Sequence, residues 1–269
     1  MYVNYLEGGA LSLGYLDGDR LLALSGPPLD AFLGGALPLV PRNSPVVTGP
    51  VEFAPPILRP RSILCLMRSY RKHAEELGNR PPPAPNFFAK LANSLTGHEQ
   101  PIVIPSDVPG EVHHEGELAL VIGNGGKDIP AGAAMQHVWG YTIANDVTAR
   151  TLQGESKKKG WPWLSAKSRD TFLPLGPGIV PRERIDDPAE LSLTVRVNGE
   201  VRQEAPVADL LWPVAEIVAA ASRLVRLAKG DLILTGTPDG VGPIRPGDTV
   251  SVAIDGIGVL ENPVTSEAG

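Results

Sequence analysis

Short apolar runs separated by turn residues dominate the chain, and this pattern predicts many short β-strands. Near the start, LSLGYL and RLLAL flank Asp17-Gly18. This arrangement predicts a β-hairpin, because Asp-Gly readily adopts the positive φ angles of a tight turn. Apolar runs at 62–67 and 118–123 are typical of strands that are buried on both faces. The whole segments 115–123 and 138–146 are predicted strands. Further hairpins are expected around Asn198-Gly199 and Asp255-Gly256.

Helical patterns are fewer. Residues 213–227 have apolar positions on one helical face, and 69–77 predict a short helix. The polar, glycine-bounded stretch 154–160 predicts a mobile loop. Because strands and helices do not alternate regularly, the pattern favours a β-rich α+β fold over a doubly wound parallel sheet.

A change in pattern near residue 60 predicts a domain boundary. The stretch 26–60 is rich in Pro and Gly and has little periodicity. We therefore expect a small N-terminal β module at 1–59 and a main catalytic domain at 60–269.

Composition excludes several classes of function. The 269 residues contain 24 Lys and Arg against 30 Asp and Glu, a net charge of −6. This balance argues against nucleic acid as a partner, since phosphate binding needs clustered positive charge. The single cysteine, Cys65, excludes an internal disulfide and a cysteine-based metal cluster. Neither a signal peptide nor an apolar stretch of the ~18 residues that a membrane helix needs is present, so we expect a soluble, cytoplasmic protein that does not bind membranes.

Two glutamates are the first candidates for chemistry. Glu115 and Glu117 are two apart in a predicted strand, so their side chains point to the same face. Adjacent carboxylates repel unless a cation lies between them, and oxygen ligands suit Mg²⁺, Mn²⁺ or Ca²⁺. The alternative is a solvated strand edge. The apolar run after the pair favours a buried site, and Asp146, at the end of another apolar run, is a candidate third ligand.

Other ionisable residues allow two interpretations each. His113 and His114 precede the glutamates and are either loop residues or ligands for Zn²⁺ or Fe²⁺. His73 and Glu76 are three apart on the predicted short helix, so they share a face. They are either a general base with the carboxylate that orients it, or an ordinary surface pair. Lys167 is either a group that stabilises negative charge or an ordinary surface lysine.

The segment Thr235-Gly236-Thr237-Pro238 follows a predicted buried strand. Hydroxyl groups and free backbone N–H groups in such a turn suit a carboxylate or phosphate, so Gly236 and Thr237 are candidate binding residues. The chain lacks a Walker A loop, a GxGxxG turn after a strand and a GxSxG elbow. These absences argue against nucleotide cofactors and serine hydrolase chemistry.

Taken together, the segments resemble the fumarylacetoacetate hydrolase family. The matching pieces lie between about residues 61 and 263 and are CLMRSYRKHAEE, HEGELALVIG, GYTIANDVTAR, AKSRDTFLPLGP, VNGEVRQ and KGDLILTGTPDGVGPIRPGDTVSVAIDGIGVLENPV. Among family members, bacterial 2-hydroxyhepta-2,4-diene-1,7-dioate isomerases look most similar. The resemblance implies the family's β-rich mixed fold, a homodimer, and bound Mg²⁺ or Mn²⁺, with Ca²⁺ possible in crystals.

The resemblance also implies roles for residues. The metal ligands would be Glu115, Glu117 and Asp146, and Lys167 would be the family lysine that precedes its D-T-F triplet. The histidine and glutamate of the family's lid-helix dyad match His73 and Glu76. The family threonine that contacts a substrate carboxylate matches Thr237.

This sequence departs from the family pattern beside two arginines. Met67 and Ser69 replace the glycine and asparagine of C-x-G-x-N-Y around Arg68, and Arg169 takes the place before D-T-F that is aromatic or small in the family. Our hypothesis is that Arg68 and Arg169 help to form an anionic pocket for a dicarboxylate. Two surface arginines are the alternative.

The implied function is a divalent-metal-dependent enzyme that acts on 2-oxo or 2-hydroxy-dienoic mono- or dicarboxylic acids through a metal-stabilised enolate. The expected activity is isomerase or decarboxylase of the 2-hydroxyhepta-2,4-diene-1,7-dioate type, in aromatic catabolism. Alternatives are a C–C hydrolase of acylpyruvates or fumarylpyruvate, an oxaloacetate decarboxylase, and a non-catalytic, metal-stabilised relative.

Overall fold

The computed structural model describes residues 1–72 and 82–267. Its strands are β1 (Tyr2–Glu7), β2 (Ala10–Asp17), β3 (Arg20–Leu24), β4 (Glu52–Ala54), β5 (Ile63–Leu66), β6 (Phe87–Lys90), β7 (Leu95–Thr96), β8 (Ile102–Ile104), β9 (Val112–His114), β10 (Gly116–Ile122), β11 (Val138–Asn145), β12 (Thr148–Ala149), β13 (Leu173–Pro181), β14 (Ser192–Val197), β15 (Glu200–Pro206), β16 (Leu232–Leu234), β17 (Gly242–Ile244), β18 (Thr249–Ile254) and β19 (Gly258–Ser266). The α-helices are α1 (Ala131–Ala134), α2 (Arg150–Lys159), α3 (Leu164–Lys167) and α4 (Val214–Leu224). Short 3₁₀ turns are found at Leu29–Phe32, Ala92–Ser94, Met135–His137, Arg182–Arg184, Pro188–Glu190 and Val207–Asp209.

An 11-stranded mixed sheet forms the centre of the molecule, with its main path in the order β3-β2-β1-β13-β11-β10-β16-β5-β6. A 5-stranded sheet, β15-β14-β18-β19-β8, and a 3-stranded sheet, β12-β9-β17, accompany it. Most strand pairs are antiparallel, whereas β16 pairs with β5 in parallel. This arrangement confirms the β-rich α+β fold expected from the sequence.

The central strand β10 is buried on both faces. Leu118, Leu120 and Ile122 belong to one apolar core, which they share with β14, β18 and α4. The alternate residues Ala119 and Val121 belong to a second core. Because side chains alternate along a strand, the part of β10 between the two cores is apolar on both faces, which explains the continuous apolar run from Leu118 to Ile122.

The N-terminal strands join the central sheet. Tyr2 of β1 pairs with Ile179 of β13. Leu13, Leu29 and Ile57 contribute to the second core together with Leu173 of β13. The division into modules at residues 59 and 60 stays a prediction, and any such module shares its sheet and core with the rest of the chain.

The predicted loop at 154–160 is wrong, because most of it belongs to helix α2. That helix buries Gln153 and Ser156, and its last turn carries Lys157, Lys158 and Lys159. Cations there interact favourably with the helix dipole. Gly160, with φ of 68°, provides the left-handed residue that ends the helix. The sequence pattern suggested a loop because Gly154 and the polar composition are unfavourable for a helix in isolation.

The predicted hairpins are confirmed, with one shift. Asn198 and Gly199 have positive φ angles between β14 and β15. In the first hairpin Asp17 pairs with Arg20, so the turn residues are Gly18 and Asp19. The helix expected at 213–227 is α4, which ends earlier than predicted, at Leu224, and Pro213 occupies the position before its first residue. Across residues 1–72 and 82–267, no helix is both long and apolar enough to span a bilayer.

Candidate active site

Three buried carboxylates meet at the ends of two central strands. Gly116 of β10 lies opposite Asn145 of β11, and the same register places Glu115 beside Asp146, whose N–H donates to the Glu115 carbonyl over 2.8 Å. Glu117 shares the face of Glu115. One ligand oxygen from each of Glu115, Glu117 and Asp146 lies within 4.8 Å of the other two. The structure thus brings together the three carboxylates expected as metal ligands.

Lys167 lies between two of these carboxylates. At the end of α3, its Nζ donates to Glu115 Oε2 over 2.7 Å and to Asp146 Oδ2 over 2.6 Å. It is buried, and its Nζ lies 5.0 Å from the centre of the Phe88 ring. Burial lowers the pKa of Lys167, but Asp146 and Glu115 more than offset this, so its pKa is raised and the group stays an ammonium ion. The surface-lysine interpretation is therefore wrong.

Two further cations complete the cluster, and neither was predicted from the sequence. Lys90 at the end of β6 is buried and donates to Asp146 Oδ1 over 2.7 Å and to the Val147 carbonyl over 3.2 Å. Arg150, the first residue of α2, forms a short ion pair with Glu115. The available signals were a lysine inside the predicted strand NFFAK and an arginine four residues after Asp146.

Glu117 differs from its two neighbours. Its Oε2 accepts a 2.5 Å hydrogen bond from the Gly236 N–H, and no lysine or arginine of the described ranges forms an ion pair with it. Burial raises the pKa of Glu117 well above its usual range, and the charges of Asp146 and Glu115 add to the effect. A buried carboxylate that lacks a cationic partner, in a group whose potential ligand atoms are all oxygens, fits a hard divalent cation.

The turn after β16 closes one side of the cluster. Gly236 has a φ of 89°, and a Cβ atom there would lie 1.9 Å from Ser69 Oγ, so only glycine fits. Thr237 is buried and lines the cavity that contains the three carboxylates. Its Oγ1 accepts a 2.8 Å hydrogen bond from Gln203 Nε2, which leaves the threonine hydrogen free to donate to a ligand.

Gln203 links this turn to strand β10. Its role was not predicted from the sequence. Its oxygen accepts from the Gly116 N–H and lies 3.1 Å from His114 Nδ1. That nitrogen must therefore carry the ring hydrogen. Burial, chiefly, lowers the pKa of His114 to about 4, so its ring is neutral. His113 lies beside Glu111 and Arg150, and neither histidine joins the carboxylate cluster in a metal-ligand group among the described residues.

Of the other residues predicted for the site, Arg68 lies at the cavity and Arg169 does not. Arg68 lines the cavity, as does Lys157, which the sequence analysis did not single out. Arg169 instead pairs with Asp107 at 2.9 Å and donates to the Ser165 carbonyl. His73 and Glu76 lie outside the described residues.

Comparison with known proteins identifies a matching family model and similar structures. A family model described as fumarylacetoacetate (FAA) hydrolase C-terminal matches residues 62–265. A structure of 2-hydroxyhepta-2,4-diene-1,7-dioate isomerase from Mycobacterium marinum is 35% identical, covers 100% of this chain and 99% of its own, and has a TM-score of 0.79.

Two other relatives have different activities. Fumarylpyruvate hydrolase from Pseudomonas aeruginosa, solved in complex with Mn²⁺ and pyruvate, is 38% identical with a TM-score of 0.75, over 78% of this chain and 91% of that one. A mitochondrial oxaloacetate tautomerase of Arabidopsis thaliana is 40% identical over 74% of this chain and 88% of its own length.

Proposed function

The chain belongs to the fumarylacetoacetate hydrolase family, whose members are isomerases and hydrolases, and we propose that it is a divalent-metal-dependent enzyme acting on 2-oxo or 2-hydroxy-dienoic acids. The observation that carries the proposal is the buried group of Glu115, Glu117 and Asp146, in which Glu117 has no cationic side-chain partner among the described residues. These three residues would hold Mg²⁺ or Mn²⁺.

The charges of the cluster indicate which ligand it accepts. Glu115, Glu117 and Asp146 contribute three negative charges, and Lys90, Lys167 and Arg150 contribute three positive ones. A divalent cation would leave two positive charges in excess. The carboxylate and ionised C2 oxygen of an enolised 2-oxo acid carry two negative charges, so they match this excess.

When bound, the divalent cation supplies Lewis-acid polarisation of the substrate carboxylate and C2 oxygen. Lys167 uses two of its three hydrogens on Glu115 and Asp146 and can donate the third toward negative charge that develops at C2. The Thr237 hydroxyl, oriented by Gln203, donates to the substrate carboxylate. Proton transfer by His73 with Glu76 stays a prediction from the resemblance.

The preferred activity is isomerisation, with or without decarboxylation, of the 2-hydroxyhepta-2,4-diene-1,7-dioate type. A second candidate, keto–enol tautomerisation of oxaloacetate, is favoured by the relative that carries this name at 40% identity. Both reactions move a proton to or from a carbon that is conjugated with C2 in the enolate, C3 in oxaloacetate and C3 or C5 in the dienoic acid. Hydrolysis of fumarylpyruvate additionally requires water attack.

A substrate panel tests the proposal. Purified protein with Mg²⁺ or Mn²⁺ is assayed for isomerisation of the dienoic diacid, tautomerisation and decarboxylation of oxaloacetate, and hydrolysis of fumarylpyruvate. We expect turnover of at least one substrate and a loss of about 100-fold in kcat for Lys167→Met. Lys159→Met, a change at an exposed lysine, is the matched control. Absence of all turnover, or turnover that Lys167→Met leaves intact, would contradict the proposal.

A further inference from the structure

The cavity has two cationic residues beyond those that neutralise its carboxylates. The acidic residues that line it, among those the structure describes, are Glu115, Glu117 and Asp146. Lys90, Lys167 and Arg150 pair with two of these, Glu115 and Asp146. Arg68 and Lys157 also line it, and within 1–72 and 82–267 neither forms an ion pair with a carboxylate. The cavity therefore offers two further cationic side chains that form no ion pair with a described carboxylate.

Arg68 and Lys157 are close enough to affect each other. Lys157 keeps part of its surface exposed to solvent. Partial burial lowers the pKa of Lys157, the positive charges of Arg150 and Arg68 lower it further, and the negative charge of Glu115 opposes them. Its Nζ lies 5.2 Å from the centre of the Trp163 ring. Like charges held together are unfavourable unless an anion joins them. Arg68 also has a φ of 54°, which is uncommon for a residue other than glycine.

Apolar groups provide most of the remaining lining. Leu66, Met67, Phe88 and Trp163 contribute to the wall, with the polar residues Gln153 and Thr237. An apolar wall accommodates a carbon chain, and charged groups in the same cavity select what that chain carries.

On the basis of the function proposed above, we propose that Arg68 and Lys157 form a second carboxylate-binding site, so that the substrate is a 2-oxo or 2-hydroxy-dienoic dicarboxylic acid. One end of the substrate lies at the carboxylate cluster, and its distal carboxylate lies between the Arg68 guanidinium and the Lys157 ammonium. Lys157 thus takes the role that the sequence analysis gave to Arg169, whose guanidinium is already engaged by Asp107.

Matched pairs of ligands test the site. Affinities are measured by calorimetry on Mg²⁺-loaded protein for 2-oxoglutarate against 2-oxovalerate and for 2-oxoadipate against 2-oxohexanoate. Within each pair the chain length is equal, and only the distal carboxylate differs. Oxalate, which has no distal group, reports on the inner end of the cavity.

We expect the wild type to prefer the diacid in at least one pair by about 10-fold or more, as for hydrogen bonds to charged groups. Arg68→Gln and Lys157→Gln should each reduce this ratio severalfold, and the double variant should bring it close to one. Oxalate affinity should change less than about twofold. Lys159→Gln, on the same helix but with its Nζ over the exposed Trp161 ring, should retain the ratio.

Two outcomes would overturn the inference, and they differ from failure of the proposed function. A wild-type ratio near one in both pairs would contradict it, as would an undiminished ratio in the double variant, in each case with normal oxalate binding. If Mg²⁺-loaded wild type failed to bind oxalate, the proposed function would be wrong, and the inference would fall with it.

Discussion

At the scale of single residues, His114 links the pH dependence of stability to the site. Its ring is fully buried, and Gln203 faces its Nδ1 nitrogen. The ordinary pKa of a histidine is 6.5, and burial is the chief reason why the pKa of His114 falls to about 4 in the folded protein. As pH falls through this interval, the unfolded chain takes up the proton first. The free energy of unfolding should therefore decrease by up to about 3 kcal/mol from this group.

We expect His114→Asn to reduce this acid-side loss of stability. The measurement is the urea midpoint of metal-free protein at several pH values between neutral and about 4. His137→Asn, a change at a histidine less buried than His114, is the control and should keep the wild-type slope. Identical slopes in wild type and His114→Asn would contradict the pKa assigned to His114.

The carboxylates were predictable at this scale, and the cations around them were not. Glu115 and Glu117 are two apart in one strand, so the pattern alone places them on one face. Lys90 and Arg150 meet their partners across 56 and 35 residues of chain. No local spacing reports such contacts, because they depend on which strands and helices become neighbours. Their partners became evident only from the three-dimensional arrangement.

At the scale of elements, Gly116 controls how closely β10 approaches the second sheet. A Cβ atom at Gly116 would lie 2.4 Å from Val195 Cγ2 and 3.0 Å from Val252 Cγ1. Gly116→Ala should therefore destabilise the protein by about 1–3 kcal/mol through overpacking. Because Glu115 and Glu117 flank it, the shift of β10 should also weaken metal binding.

Gly154→Ala is the matched control for this prediction. Gly154 lies in α2, and no heavy atom would lie within 4 Å of an added Cβ. The substitution should stabilise the protein by about 0.5–1 kcal/mol, since alanine favours a helix. Chemical unfolding and Mn²⁺ titration of both variants provide the measurements. Equal metal affinity and stability in Gly116→Ala and wild type would show that the strand tolerates displacement.

Elements buried on both faces were the most predictable, and α2 was the least. The apolar runs of β5, β10 and β11 are dictated by two cores. Helix α2 has little apolar character, and the two residues that it buries, Gln153 and Ser156, are polar. Local propensity carries little information about a helix of this kind.

At the scale of the whole molecule, the N-terminal segment is part of the common core. Besides the pairing of β1 with β13, Trp139 donates a 2.9 Å hydrogen bond to the Gly35 carbonyl. We therefore expect a single cooperative unfolding transition for the full chain. The fragment 60–269 should fail to fold, because it exposes Leu173 and Leu175 of the second core.

Circular dichroism and metal titration of the fragment test this expectation, with the full chain as the control. A fragment that folds cooperatively and binds Mn²⁺ would instead support an independent domain beginning at residue 60. The homodimer implied by the resemblance and the cytoplasmic location expected from the sequence stay predictions.

The central claim is that the three carboxylates exist to hold a divalent cation, and Glu117→Gln tests it most directly. The measurement is the melting temperature of wild type and Glu117→Gln with and without Mn²⁺ and oxalate. Ligands that bind the folded state raise this temperature. In the wild type, Mn²⁺ should raise it, and oxalate should raise it further only with Mn²⁺ present.

Metal-free Glu117→Gln should melt at or above the wild-type temperature. The neutral amide removes the buried charge, and its oxygen can still accept from the Gly236 N–H. This variant should lose the response to Mn²⁺ and oxalate. A Glu117→Gln variant that melts well below the wild type, together with a wild type that does not respond to Mn²⁺, would mean that the carboxylates are structural and would contradict the account.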